Sequence, residues 1–227
     1  MTYLPRHFEE TNPATLHALV RDYPLATWVV QSEGELLVNH IPFLLDTTRG
    51  EHGTLIGHVA RSNPVWRTLQ AERVSVAIFT GANTYISPNW YPTKKENGKA
   101  VPTWNYAIVH AHGVAQVVDD SARVLDIVSR LSDVHEAAQP QPWKVTDAPA
   151  DYIDKLLRGI VGIEIPIQRW VGKWKTSQNQ PPENQRGVAQ GLRQQGSDTA
   201  RKMADWVMPE PPAASGSCES AVSRLTP

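Results

Sequence analysis

Trp104-Asn105-Tyr106-Ala107-Ile108-Val109-His110-Ala111-His112-Gly113-Val114-Ala115-Gln116-Val117-Val118 alternates at a period of two over fifteen residues. His110 and His112 share one face with Tyr106, Ile108 and Val114, while Ala107, Ala111, Gly113 and Ala115 make the opposite face small. A long strand with one small face lets a second sheet, a subunit or a flat ring approach closely. Upstream, the same period marks strands at Leu25–Gln31, Glu35–Leu45, Thr54–Ala60, Val74–Thr80 and Thr84–Ser87, separated by turn residues. Downstream, Val161, Ile163, Ile165 and Ile167 alternate with smaller or polar residues, and predict another half-buried strand running toward Trp174.

Helices flank this run. Asn12 is placed to cap, Pro13 suits the first helical position, and Leu16, Leu19 and Val20 recur at helical spacing until Pro24. Ser62–Leu69 reads as a short helix capped by Ser62 or Asn63. Val124, Ile127, Val128 and Leu131 form one amphipathic stripe, and Ile153, Leu156, Leu157 and Ile160 a second. Residues 181–207 read as mostly helical. The early strands lack the crossover helices of βαβ units, so a parallel doubly wound sheet is not expected. The expected class is mainly β with flanking helices, a closed or split β-barrel, in one domain over residues 1–207. Residues 208–227, rich in Pro, Ala, Ser and Gly, are expected to form a disordered tail.

Composition narrows the function classes. At 227 residues and a net charge of -1, the chain suits one substantial core and does not capture nucleic acid by overall charge. No apolar run approaches the roughly 20 residues that cross a bilayer. The start lacks the apolar segment of a signal peptide, and the single Cys218 has no internal partner, so a cytoplasmic location is expected. No Gly-x-Ser-x-Gly elbow, Walker loop or dinucleotide-binding glycine pattern is present, and Cys218 falls in the expected tail.

Four constellations carry chemistry. Residues 84–106 hold Tyr85, Trp90, Tyr91, Trp104 and Tyr106 beside Ser87, Lys94, Lys95, Thr103 and Asn105, stiffened by Pro88, Pro92 and Pro102. A buried hydroxyl or amide without a partner costs about 1–3 kcal/mol, so this mixture suits a ligand with a flat apolar ring and a polar tail. Trp90, Tyr91 and Trp104 would wall the ring, and the polar groups would meet the tail or a phosphate. In Gly57-His58-Val59-Ala60-Arg61-Ser62-Asn63-Pro64-Val65-Trp66, a strand ends at an arginine where a helix begins, which outlines an anion site; a simple cap with a solvated Arg61 is the plainer alternative. His110 and His112 could begin a metal site, but no acidic or cysteine partner stands at a recognisable spacing, and hydrogen-bonded structural histidines are expected instead, with no metal. Arg169, Lys173, Lys175, Arg186, Arg193, Arg201 and Lys202 against Glu183, Asp198 and Asp205 give a local excess of +4, either a nucleic-acid footprint or a solvated surface.

Those two motif blocks, with His112-Gly113 and Lys175-Thr176-Ser177-Gln178-Asn179, resemble the signatures of the PaiB-type FMN-binding negative transcriptional regulators of bacteria, in the same order and at similar spacing. The resemblance runs from Met1 to about Val207. It implies a split β-barrel of the FMN-binding kind, related to pyridoxamine phosphate oxidase and flavin reductases. It further implies a cytoplasmic homodimer with flavin near the subunit interface, and a DNA-binding repressor of sporulation and protease genes. Carried over position by position, Arg61 and Lys94 or Lys95 fall near the phosphate, and Asn63 is a further cofactor-binding position. Tyr85, Ser87, Trp90, Thr103, Trp104 and Asn105 surround the ring and ribityl chain. A flavin-dependent oxidoreductase acting on a small molecule is the alternative from another class. A haem protein using His58, His110 or His112 as axial ligand is a third.

Overall fold

The strand expected from Val161 toward Trp174 runs unbroken from Ile160 to Lys175, and the rest of the sheet is arranged around it. The computed structural model describes residues 2–69 and 73–209. In chain order these form β1 (Glu9–Glu10), α1 (Pro13–Asp22), β2 (Leu25–Ser32), β3 (Glu35–Pro42), β4 (Leu44–Asp46), β5 (Thr54–Ala60) and β6 (Val74–Ile86). Then come α2 (Lys94–Asn97), β7 (Thr103–Val114), β8 (Gln116–Val118), α3 (Ser121–Glu136), α4 (Ala150–Leu157), β9 (Ile160–Lys175), α5 (Pro182–Gln195) and α6 (Asp198–Val207). The sheet is antiparallel in the order β3-β2-β6-β7-β9-β5-β4, with β1 and β8 also paired to β9. The architecture is mostly β, a curled half-barrel with flanking helices, as the alternating pattern predicted.

β9 serves two halves of this sheet. Its first half pairs with β5 and β8, from Ile160 beside Ala60 to Pro166 beside Thr54. Its second half pairs with β7, from Arg169 beside His112 to Lys175 beside Tyr106. Between them the register shifts, because Gly113 faces Ile167 and leaves Gln168 as the extra residue of a bulge. Pro166 lacks an N–H and is tolerated at such a break. A methyl group on Gly113 would collide with the Pro166 carbonyl oxygen and lie 2.8 Å from Ile165 Cγ2, so only glycine allows β7 and β9 to approach this closely.

The core lies inside the curl. Ala107, Val109 and Ala111 of β7 are fully buried with Trp28, Phe79, Leu55, Ile163 and Ile165, and α1 closes one side with Leu16, Leu19 and Val20. Its polar groups are satisfied: Trp28 Nε1 donates to Ser75 Oγ at 3.0 Å, and that hydroxyl donates to the Gly113 carbonyl at 3.1 Å. α3 packs Val124, Ile127 and Leu131 over β8 and the end of α4, and charge pins it there. Buried Glu164 accepts from Arg49 at 2.6 Å and Arg123 at 2.9 Å, while Arg130 reaches buried Asp46 at 2.8 Å. A third cluster joins Ile86 and Tyr91 to Val188, Leu192, Met203 and Val207 of the C-terminal helices.

Several boundaries differ from the sequence reading. Val74–Thr80 and Thr84–Ser87 are one strand, β6, because an irregularity between Thr80 and Asn83 absorbs the break under Leu19 and Trp206. Glu35–Leu45 divides into β3 and β4 at Phe43, whose ring turns inward against Trp28, and the long β7 stretch divides from β8 at Ala115. The helix expected over Ser62–Leu69 is only a 3-10 turn at Pro64–Arg67, capped by Asn63 through Val65 N at 3.0 Å and closed by Thr68 Oγ1 on the Val65 carbonyl. Ile160 belongs to β9, and residues 181–207 form two helices hinged at Gly196, which has φ of 73°. From residue 210 onward, the expected tail lies outside the described residues, and Cys218 with it.

Gly113→Ala is expected to destabilise the chain by about 1–3 kcal/mol through overpacking. Urea unfolding measures this, and an unchanged midpoint would mean that the contact with Pro166 does not set the bend.

Candidate functional site

At one corner of the sheet the ends of β6, β7 and β9 meet, and the period of two turns their rings outward. Tyr85 and Trp104 are cross-strand neighbours, 45% and 49% exposed, with ring centroids 6.3 Å apart at 66°. The residues beside them, Ile86 and Asn105, point inward and are buried. Asn105 Nδ2 donates to Ser177 Oγ at 2.9 Å, and Ser177 is held at φ of 67°, a left-handed conformation unusual for a residue with a side chain. Lys175 Nζ sits beside the ring pair, donating to Thr103 Oγ1 at 2.6 Å and to the Trp104 carbonyl at 2.5 Å. Burial, and then the neighbouring Lys173, push the Lys175 ammonium below its ordinary pKa. Lys173 itself lies between the Tyr3 and Tyr106 rings, 5.4 and 5.3 Å from their centroids. Ser87 Oγ accepts from Asn89 N at 3.2 Å, Lys94 Nζ donates to Asn89 Oδ1 at 2.6 Å, and Lys95 is exposed.

Two of the three expected ring walls turn away from this corner. Tyr91 is buried in the cluster formed with α5 and α6, and Trp90 lies against α5. Gly187 and Gly191, four residues apart and so on one helix face, leave the notch that seats Trp90: a methyl on Gly191 would come within 2.5 Å of its indole. This glycine spacing stands in the sequence and could have signalled the seat.

The second expected group lies at the opposite end of β9. Arg61 Nε donates to the Arg158 carbonyl at 2.8 Å, Nη2 donates to the Ile160 carbonyl at 3.0 Å, and both terminal nitrogens reach Asp119 at 3.2 and 2.5 Å. The anion that Arg61 meets within the chain is therefore a carboxylate. Asn63 caps its turn and donates to Asn39 Oδ1 at 2.7 Å. Since Ala60 pairs with Ile160 and Tyr106 with Lys175, a single chain does not bring Arg61 and Asn63 to Trp104.

The histidines divide as well. His110 Nδ1 shares a 3.3 Å hydrogen bond with Thr2 Oγ1, as expected of a structural histidine. Among the described residues, His112 Nε2 and His58 Nδ1 are buried with no hydrogen-bond partner. Among the described residues no group of three or more His, Cys, Asp or Glu is placed to hold a metal. The C-terminal basic excess is mostly engaged: Arg193 meets Asp205, Arg201 meets Asp198, Lys202 meets Asp22, and Lys173 and Lys175 are tied as above.

Burial, then the nearby Arg169 and His110, lower His112 to a pKa of about 4 from an ordinary 6.5. The unfolded chain then binds protons that the folded chain refuses, so stability is full above pH 6.5 and falls as the pH drops toward 4. His112→Phe is expected to flatten this slope in urea unfolding between pH 7 and 4; an unchanged slope would place the titration elsewhere.

The donor set suits a flavin mononucleotide: half-exposed rings for an isoalloxazine, hydroxyls and amides for a ribityl chain, and a cation for a phosphate. Residues 2–169 match the family described as "Putative FMN-binding domain". The chain is 33% identical to uncharacterized protein AN0679 of Emericella nidulans, over 90% of this chain and 96% of that protein. It is 30% identical to protease synthase and sporulation protein PAI 2 of Bacillus subtilis, over 89% of this chain and 95% of that protein. Among solved structures it is similar in fold to the FAD and heme binding protein from Mycobacterium smegmatis, with a TM-score of 0.53 and 16% identity over 74% of this chain and 73% of that one. The chain therefore belongs to the FMN-binding domain family that its PaiB-type motifs announced, and FMN is the cofactor that goes with that membership.

Proposed function

We propose that the chain is a cytoplasmic, homodimeric FMN-binding protein whose output is control of gene expression. The observation that carries the flavin site is the half-exposed Tyr85–Trp104 pair beside Lys175 and Thr103. These rings would flank the isoalloxazine, with Thr103, Ser87 and the Asn105–Ser177 pair toward the ribityl chain and Lys175, Lys94 and Lys95 toward the phosphate. Bound FMN supplies one- or two-electron redox chemistry, while the chain binds, orients and shields it. Arg61 and Asn63 would join only from a second copy, and Arg61 would have to exchange Asp119 for the phosphate.

The dimer rests on the outer face of the sheet. An antiparallel sheet with one face in water normally keeps that face polar. Here Leu36, Val38 and Val74 are 67%, 55% and 49% exposed, and Val29, Val76 and Ile78 continue the same face between them. An isologous two-fold contact would cover this surface. The regulatory role takes its support from the Bacillus subtilis relative, which is named for protease synthesis and sporulation. The engaged cations of the C-terminal third favour a second reading, a flavin-dependent oxidoreductase, because they leave little free charge for a phosphate backbone.

FMN fluorescence should be quenched on titration with the protein, with affinity at least tenfold lower in Trp104→Ala and Lys175→Met; equal affinities would move the site elsewhere. Light scattering should show a dimer that Val38→Asp with Val74→Asp turns into a monomer, and a persisting dimer would exclude this face. A promoter gel shift that weakens with salt supports regulation. Its absence, together with bleaching of bound flavin by a nicotinamide reductant, supports the oxidoreductase.

A further inference from the structure

On the edge of β9 that faces away from β7, two neighbours leave a gap between them. β1 ends at Glu10 beside Gly172, because Asn12 and Pro13 turn the chain into α1. From the other direction β5 pairs as far as Pro166, and the Gly53 carbonyl accepts from Ile167 N at 2.9 Å. Residues 168–171 are left with no strand on that edge among the described residues. At the usual rise of a strand this gap is about 13 Å long. A hollow of about 490 Å³ occupies it, lined among others by Leu4, Glu10, Pro13, His52, Arg169 and Trp170. Trp170 is fixed as one wall, since its Nε1 donates to the His52 carbonyl at 3.1 Å. The bulge breaks the alternation of β9, so that Gln168 and Arg169 are both exposed at the rim.

Charge divides along the gap. Glu9 and Glu10 stand at the β1 end, and Glu10 Oε1 accepts from Asn12 N at 2.8 Å, which leaves its second oxygen free. Arg169 lies three residues from Gly172, about 10 Å along the strand, and enters no ion pair among the described residues. An anion alone would meet the two carboxylates, and a cation alone would meet the guanidinium. A molecule with an ammonium at one end and a carboxylate at the other suits both. The backbone adds a third demand: successive residues of an antiparallel strand turn their N–H and C=O to alternate edges, so part of the stretch from Arg169 to Val171 offers them to the gap. A peptide amide meets these groups as an added strand does. Direction agrees with charge, because a peptide continuing the course of β1 runs antiparallel to β9, with its N-terminus beside Glu10 and its C-terminus beside Arg169.

We propose that this gap binds a free dipeptide with apolar side chains, laid along the open edge of β9. Its ammonium meets Glu9 and Glu10, its carboxylate meets Arg169, and its side chains lie against Leu4, Pro13 and Trp170. The site shares no residue with the Tyr85–Trp104 corner and stands whether or not that corner holds FMN.

Calorimetric titration of the full chain with L-leucyl-L-leucine tests this, beside its N-acetyl and C-terminal amide forms. The free dipeptide should bind saturably, with each capped form roughly tenfold weaker for loss of one charged contact. In Arg169→Met the amide and the free dipeptide should bind equally, while acetylation still weakens binding. Glu9→Gln with Glu10→Gln should reverse that pattern, and an amide oxygen at position 10 keeps an acceptor for Asn12 N. Thr11→Trp, which fills the gap from its rim, should remove binding of all three. Absence of saturable binding of the free dipeptide to the unaltered chain would overturn the proposal, as would equal affinity of the three forms. Arg169 and Glu9 are exposed, so their variants keep the fold and the test stands even if Thr11→Trp loses its folded circular dichroism. Discrimination against the amide that persists undiminished in Arg169→Met would likewise contradict it.

Discussion

The close approach of Gly113 to Pro166 is the constraint on which the rest of the structure depends. At that point β9 gains one residue relative to β7 and loses a backbone donor, so the strand changes partners without ending. Without the bend, the first half of β9 could not pair with β5 and β8 while the second pairs with β7. The polar chain from Trp28 through Ser75 to the Gly113 carbonyl holds the same residue from inside the core. Fold and functional surfaces are thereby coupled, because both candidate surfaces lie at ends of β9.

Each end uses a different chemistry. At Lys175 the strand leaves water with a partly desolvated cation and two half-exposed rings, a surface that lacks one partner. At Ile160 the polar groups are already matched by Arg61 and Asp119, and the buried His58 Nδ1 has no hydrogen-bond partner among the described residues. The outer sheet face over β3, β2 and β6 carries valines and a leucine where water would favour polar residues. Two unmet demands, a ring surface and an apolar sheet face, are the physical basis for proposing where the flavin and a second subunit sit.

Features governed by local pattern were legible in the sequence. The small face of β7 and the cap at Asn12 depend on spacing along one segment, and the structure repeats them. The strand expected from Val161 to Ile167 is present, but it is buried on both faces rather than one, because Gly162 packs under Ile127 and Glu164 is sealed by Arg49 and Arg123. Features that depend on a distant partner were not. Trp90 is indistinguishable from a ligand wall until α5 brings Gly187 and Gly191 beneath it. Arg61 looks like an anion site until Asp119, fifty-eight residues away, supplies the anion. Turn signals near Gly81 suggested two strands because a bulge and a loop share residue types; only packing against Leu19 and Trp206 separates them. The motif blocks identified the family correctly, yet they did not show that their residues lie at two ends of one strand.

The central claim is that a second copy completes the flavin site, and linked dilution tests it most directly. Protein saturated with FMN would be diluted across the range in which mass measurements show dimers separating, while flavin fluorescence reports release. FMN should be released in step with dissociation, and each dimer should carry two. Flavin that stays bound to the monomer with undiminished affinity would contradict it.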